Sequence, residues 1–498
     1  MRVLLVYPDF LESKGGTAQH GSYSEGLASL SAVLKSQGHQ VALMHLTRPA
    51  HEREYLAELA SYQPDLVGFN SRTSVFPYVR QYALWTKQYD DIPTVCGGYH
   101  ATLVPQETLD TPGIDAVCIG EGEHILAGLC RAVEQGEDWS QLPGVWTRCG
   151  GQMVRNPVAP LVEDLDTLPL PDFSLFDYRR LAASQMSTAL VMLSRGCPYN
   201  CAYCCNHGLR KVYPNPARYT RFRSPERSIV YLEQLRTSYP GLRYLNFMDD
   251  ILPLNREWFS DFISRYRREV GLPFSCRLRA NLVDRDVVCA LKEAGCYLVH
   301  MGVETGDEEL RRAVLNRPIS QEQLVKAFDT CRDLDMSTLA YNMINLPGET
   351  VNSTLSTIRL NARLRPQRMV VSIFYPYPGT DLHRLSWERG WLSGSDYQSD
   401  MPLKQPGYGS AQVWFMHRYF KSLVRVYQLL YRLPHPAQRA CRGALEAVLC
   451  SPLLPRRSLA VAADAIIAVG VGLKRFLMKH FPAFYLRLRD RVVGRVPV

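Results

Sequence analysis

The stretch "RGCPYNCAYCC", Arg195–Cys205, packs four cysteines into one short segment, and its reading decides the rest of the chain. Cys197, Cys201 and Cys204 are spaced C-x3-C-x2-C just after "ALVMLS", an apolar run with the length of a buried strand. Three thiolates on so short a loop can hold three irons of a four-iron cluster and leave the fourth iron open. A closed zinc site is the competing reading, and it asks for a second, distant ligand pair. Neither Cys276 nor Cys296 has a partner at such spacing, although His207 is close to the loop. Thiol redox chemistry is a third reading. Most of the 14 cysteines stand singly in apolar runs, such as Cys96 in "PTVCGG" and Cys118 in "IDAVCIG", as reduced buried thiols do. Cys205, next to Cys204, reads as a packing residue.

Around this loop the pattern is strand and helix in alternation. "ALVMLS", "RYLNFMD", "PFSCRLR", "YLVHMGVE", "TLAYNMIN" and "MVVSIFY" are strand candidates, with helices such as "SPERSIVYLEQLRTSY" and "DRDVVCALKEAG" between them. Six βα units without a dinucleotide-binding glycine signature imply a (β/α)6 partial barrel, with its chemistry at the C-terminal strand ends. Upstream, "RVLLVYP", "VALMHL", "DLVGFN", "TVCGG" and "AVCIG" imply a doubly wound parallel α/β sheet. Ligands of such sheets sit at the carboxyl ends of the strands. The loops there are "PDFLESKGG", "NSRTSVFP", "GGYHATLVP" and "GEGEH". A Pro-rich stretch without a period reads as a wrapped linker. The expected division is 1–140, linker 141–185, barrel 186–390 and a helical C-terminal region 391–498.

"SRGCPYNCAYC" resembles the cluster loop of the radical S-adenosylmethionine (SAM) superfamily, with Tyr203 at the usual aromatic position. Later segments are similar in order. "FMDD" places Asp249 and Asp250 where the family contacts the SAM amino group. "RLRANLVD" places Arg279 at a polar SAM contact, and "MGVETGDEEL" makes Glu304 the SAM-facing residue. "INLPGET" is similar to a family turn often written G-L-P-G-E-T, with Asn345 at the first Gly, and "YPYPGTDL" matches the segment after the sixth strand. The N-terminal part resembles the cobalamin-binding domain of one radical SAM class. There Ser71 in "NSRTSVFP" and Gly97, Gly98 and His100 in "CGGYHATLVP" fall at the cofactor edge. The D-x-H-x-x-G motif that supplies a cobalt-ligating His is absent, so His100 is expected near the cofactor but not on cobalt.

The resemblance implies a [4Fe–4S] cluster on Cys197, Cys201 and Cys204 that cleaves SAM to a 5′-deoxyadenosyl radical, and a cobalamin that supplies methyl. The expected activity is methylation of an unactivated carbon in a small biosynthetic or lipid-like substrate, with electrons from a flavodoxin or ferredoxin. The alternative is a cyclase or oxidoreductase of the same architecture without methyl transfer. A tRNA methylthiotransferase would carry a further N-terminal cysteine triad and a C-terminal basic barrel, and neither is seen. A non-enzymatic corrinoid-binding protein leaves the cluster loop unexplained.

Charge separates the tail from the body. From residue 411 there are 15 Lys and Arg against three acids, a net +12, while the whole chain is +9. The body is therefore slightly acidic, and nucleic acid is not an expected partner. No signal peptide is visible and no run reaches the roughly 18 apolar residues of a span, so a cytoplasmic protein is expected. The tail reads either as a helical cap over the barrel or as a peripheral contact with the inner face of the membrane.

Overall fold

The computed structural model describes residues 1–10, 21–392, 394, 397 and 399–481. Most of the "PDFLESKGG" loop and the basic aromatic stretch 482–498 lie outside the described residues. The first sheet contains β1 (Arg2–Pro8), β2 (Gln40–Leu46), β3 (Leu66–Asn70), β4 (Thr94–Gly97), β5 (Ala116–Cys118), β6 (Val145–Cys149) and β7 (Gln152–Arg155). Their order is β2-β1-β3-β4-β5-β6-β7, and the first five are parallel. This is the flavodoxin-like order, whose switch point lies between β1 and β3. The apolar runs of β1, β3, β4 and β5 are buried on both faces by helices, whereas the edge strand β2 buries only Met44. β6 and β7 are antiparallel and fall in the stretch read as linker. They are too short to register as a period, and Gly150 and Gly151, with φ of +57° and +80°, turn the chain between them.

The second sheet follows. β8 (Thr188–Val191) leads to a two-stranded ribbon of β9 (Ser194–Arg195) and β10 (Arg221–Phe222). Then come β11 (Tyr244–Phe247), β12 (Phe274–Leu278), β13 (Cys296–Glu304), β14 (Thr338–Ile344) and β15 (Arg368–Ile373). The order β8-β11-β12-β13-β14-β15 is parallel throughout and leaves β8 and β15 as free edges, an open six-stranded barrel. Its outer face packs into one apolar core with Val299, Met301, Val303 and Ala340 against the surrounding helices.

The C-terminal region is helical. Helix Ser410–Leu430 buries Val413, Met416, Phe420, Val424 and Tyr427, a single helical stripe, against helix Val351–Leu364 and the outer face of β15. Burying each such side chain contributes about 1.5–3 kcal/mol. The tail therefore does cap the barrel. Helices His435–Cys450 and Arg456–His480 pack outside it.

The two sheets are locked together by charge. Glu121 and Glu123, in the "GEGEH" loop after β5, meet Arg195 and Arg221 from the barrel ribbon. Arg221 grips Glu121 through both terminal nitrogens, at 2.7 and 3.0 Å. This loop was expected to face a ligand, but its carboxylates are spent on the domain joint.

Candidate active site

The cluster loop leaves the ribbon at Gly196, where φ is +83°. A Cβ there would lie 2.3 Å from the Tyr219 carbonyl oxygen, so only glycine fits the turn. The loop is then fastened to the barrel. Ala202 N–H donates to Leu315 O at 2.9 Å, Leu382 N–H to Ala202 O at 3.0 Å, and Asn316 Nδ2 to Asn200 O at 2.9 Å. Leu315 closes a π-helical turn, Leu310–Val314, a local irregularity often found at functional sites.

Cys201 is buried, and two guanidiniums aim at its sulfur. Arg279 Nη1 lies 3.7 Å and Arg317 Nη1 3.8 Å from Sγ. Each also keeps a buried Nε–H without a partner. Arg279 stacks on Tyr199, 3.7 Å from the ring centroid. Such an environment suits a thiolate. Cys197 and Cys204 are partly exposed. Burial pushes the Cys197 thiol up to about 12, and Asp250, Cys204 and Cys201 add to the effect. The Cys204 thiol is raised first by a hydrogen bond with Cys205 and then by burial. Arg317 carried no motif in the sequence; it lies in the irregular "LNRPIS" loop, and only the fold brings it to Cys201.

Glu304 ends β13 with φ of +64°, at a register shift. Its Oε1 accepts from Tyr203 Oη at 3.2 Å. Burial raises this carboxyl, while the charge of Arg317 draws it back. Asp250 is exposed at the barrel mouth and accepts twice from Asn206 Nδ2, at 2.9 and 3.0 Å. Asp249 keeps one carboxylate oxygen, Oδ2, buried and without a partner. It is buried, and its Oδ1 is taken by the backbone N–H groups of Leu193 and Ser194, at 3.0 and 2.6 Å. It braces the strand ends ahead of the cluster loop. Asn345 has φ of +63°, a conformation asparagine tolerates where the family turn carries glycine. Its side chain is held by Leu403 O and Gln405 Nε2.

On the other sheet, Ser71 N–H donates to Gly97 O at 2.8 Å. Gly98 has φ of +97°, and a Cβ there would lie 2.7 Å from Ser71 O. The glycine is thus required by Ser71 itself, and Ser71 is fully buried. His100 lies in the short helix Tyr99–Leu103. Its ring is fully buried against Phe76, 4.0 Å away between centroids, and Tyr397, and burial lowers its pKa to about 3. It is packed as a core residue, and its Nε2 is buried without a partner. The residue that does face out is Tyr99, 54% exposed. The short helix it begins, Tyr99–Leu103, packs against the helix Cys205–Lys211 that follows the cluster loop. At the switch point, Arg72 Nη2 and His45 Nε2 both lie 3.0 Å from Asp9.

A model of the radical SAM superfamily matches residues 191–360, and a model of the B12 binding domain matches residues 16–130. This chain thus joins a B12 binding domain to a radical SAM domain. It is 28% identical over 395 residues to an uncharacterized methyltransferase of Pyrococcus horikoshii, covering 78% of this chain and 83% of that one. It is 26% identical over 396 residues to an anaerobic magnesium-protoporphyrin IX monomethyl ester cyclase of Rubrivivax gelatinosus, covering 77% and 69%. It is 26% identical over 438 residues to the hopanoid C-3 methylase of Methylococcus capsulatus, covering 84% and 78%. The fold matches the radical SAM methyltransferase TsrM from Kitasatospora setae, solved with cobalamin and a [4Fe–4S] cluster, at a TM-score of 0.64 and 19% identity over 78% of this chain and 75% of that one.

The cofactors of this radical SAM enzyme are a [4Fe–4S] cluster, SAM and cobalamin, and the residues present fit them. Among the described residues no three His, Cys, Asp or Glu side chains converge on a single ion position. The unpartnered Nε–H groups of Arg279 and Arg317, whose guanidiniums aim at the buried Cys201 sulfur, suit an anionic thiolate cluster at this loop. Below the mouth, the barrel lumen is lined by a row in register across four strands: Arg277, His300, Leu339 and Arg368. His300 Nδ1 lies 3.1 Å from Tyr341 Oη, while its buried Nε2 has no partner. Burial and then the charges of Arg277 and Arg368 lower its pKa to about 4, so the imidazole is neutral.

Proposed function

We propose that this enzyme methylates an unactivated carbon of a small biosynthetic or lipid-like molecule. One juxtaposition carries the reading: the short helix Tyr99–Leu103, at the carboxyl edge of the cobalamin sheet, packs against the helix Cys205–Lys211 that follows the cluster loop at the barrel mouth. Bound at that boundary, the cluster with SAM supplies a hydrogen-abstracting radical and cobalamin a methyl group. On this reading residues 1–140 form the cobalamin unit and 186–390 the barrel unit. Cys197, Cys201 and Cys204 hold the cluster, and Arg279 and Arg317 steady the charge on Cys201. Glu304, oriented by Tyr203, and Asp250 receive the SAM ammonium group. Gly97, Gly98 and Tyr99 line the cobalamin side, with no protein imidazole on cobalt. The acceptor molecule lies in the lumen, where His300 and Tyr341 offer a neutral hydrogen-bonding pair. The electron donor is a flavodoxin or ferredoxin, and a lipid-like acceptor is met at a membrane through the basic C-terminal helices.

The relatives include a cyclase as well as methylases, which favours one second reading, radical oxidation or cyclisation without methyl transfer. The co-products separate the two. Giving up a methyl group leaves S-adenosylhomocysteine, whereas reductive cleavage leaves 5′-deoxyadenosine and methionine. Anaerobic turnover of the reconstituted enzyme with an extract of its source cells should yield both S-adenosylhomocysteine and 5′-deoxyadenosine. Turnover that yields 5′-deoxyadenosine alone supports the cyclase reading instead.

A further inference from the structure

Helix Arg456–His480 has two faces of different kinds. Its inward face is settled: Ala460 and Ala463 are buried, Leu459 O accepts from Tyr419 Oη at 3.0 Å, and Asp464 pairs with Arg418 of helix Ser410–Leu430. Its outward face carries Val461, Ala465, Ala468, Gly472 and Phe476, which recur at helical spacing, with Ala462 and Leu473 beside them. All are exposed, Val461 by 68% and Phe476 by 52%. Leu453, in the turn before this helix, is 89% exposed, and Phe481 follows the helix at 53%. Water-facing helices carry polar residues at such positions, and a contiguous apolar strip marks a surface that is covered.

Among the described residues no helix is long and apolar enough to cross a membrane. The occupant must also suit the charge. Arg457, Lys474, Arg475 and Lys479 share this helix, whose only acid is the paired Asp464. A second copy of the chain would bring one +12 tail against another. An anionic bilayer would neutralise that charge while it takes up the apolar strip, the pattern of a helix that lies in a membrane interface. The position also suits delivery. Helix Ser410–Leu430 rests on β15, with His417 Nε2 3.1 Å from Val371 O, and β15 is a free edge of the open barrel. A single helix layer thus separates the strip from that edge.

We propose that the outward face of Arg456–His480, with Leu453 and Phe481, docks this enzyme on an anionic lipid bilayer. Docking rests on the lipid-like reading of the acceptor, but it is measured as binding and needs no turnover, so a failure to methylate leaves it standing. The test is co-sedimentation of the full chain with vesicles of phosphatidylcholine alone or mixed with phosphatidylglycerol, at low and high salt. The expected result is pelleting with the mixed vesicles at low salt and release at high salt. The triple variant Leu453→Glu, Val461→Glu and Phe476→Glu changes only exposed positions and should bind about tenfold more weakly or worse, with its circular dichroism and melting unchanged. Docking is refuted if the full chain stays in solution with mixed vesicles at low salt, or if the triple variant pellets as the parent does. It is equally refuted if light scattering shows a dimer that the variant dissolves, because a second copy then covers the strip.

Discussion

Arg195 Nη2 lies 2.5 Å from Glu123 Oε1, a buried contact that joins the two sheets two residues ahead of Cys197. Ser29 Oγ donates to the same oxygen at 2.7 Å. Burial would push Glu123 up, yet the charge and hydrogen bond of Arg195 hold it below the usual carboxylate range. Removing one partner strands the other charge in the joint, which costs about 3–5 kcal/mol. Glu123→Ala should therefore lower the melting temperature and weaken retention of cobalamin on a desalting column, with Glu123→Gln milder. A Glu123→Ala protein that melts with the parent and retains its cobalamin would show that the joint does not depend on this pair.

The cluster assignment predicts a sharp division among neighbouring cysteines. After anaerobic reconstitution, Cys197→Ala, Cys201→Ala and Cys204→Ala should each lose the iron–sulfur absorbance and SAM cleavage, while Cys205→Ala keeps both. If Cys205→Ala abolishes the cluster as well, the ligand set is wrong.

Cobalamin should bind without a protein imidazole, because His100 is sealed in the core and His45 is paired with Asp9. The electron paramagnetic resonance spectrum of the cob(II)alamin form should lack nitrogen splitting from histidine. Splitting that disappears in His100→Ala or His45→Ala would overturn this.

Much of this was legible in the residues. The strands of both sheets stand out because short β-branched and aromatic runs end in Gly, Pro or Asp, and C-x3-C-x2-C sets the cluster loop by spacing alone. What stayed hidden depends on contacts far apart in sequence. Arg317 reaches Cys201 from a loop more than a hundred residues away, and Glu121 and Glu123 look like ligand residues until Arg195 and Arg221 meet them. The burial of the His100 ring stayed hidden too, because a histidine after two glycines gives no sign of which way its ring turns. The hairpin β6–β7 was missed because four- and five-residue strands are too short to show a period. Asn345 shows the opposite case: the residue departs from the family turn, yet its backbone adopts a positive φ.

Glu349 gives the stability a pH dependence. Burial pushes its carboxyl from 4.5 up to about 8, although Leu346 N–H and Thr354 Oγ1 donate to it. A raised carboxyl contributes stability that is complete below its unfolded pKa and is lost as pH rises through its folded pKa. The native protein should thus weaken from about pH 5 to about pH 8, by on the order of 2–4 kcal/mol from this residue. Glu349→Gln, whose amide oxygen can still accept from Leu346 N–H while its NH2 donates to Thr354 Oγ1, should flatten that slope in urea denaturation. Equal slopes in parent and variant would contradict the assignment.

Methyl transfer is tested most directly by its atoms. The reconstituted enzyme is incubated anaerobically with SAM carrying a trideuterated methyl group, a reductant and an extract of the source cells, and the products are followed by mass spectrometry. The expected result is a new species that carries the three deuterium atoms on carbon, formed together with 5′-deoxyadenosine and absent with Cys201→Ala. Steady formation of 5′-deoxyadenosine, with a substrate consumed and no deuterium in any product, would show that the radical is made but no methyl group is transferred.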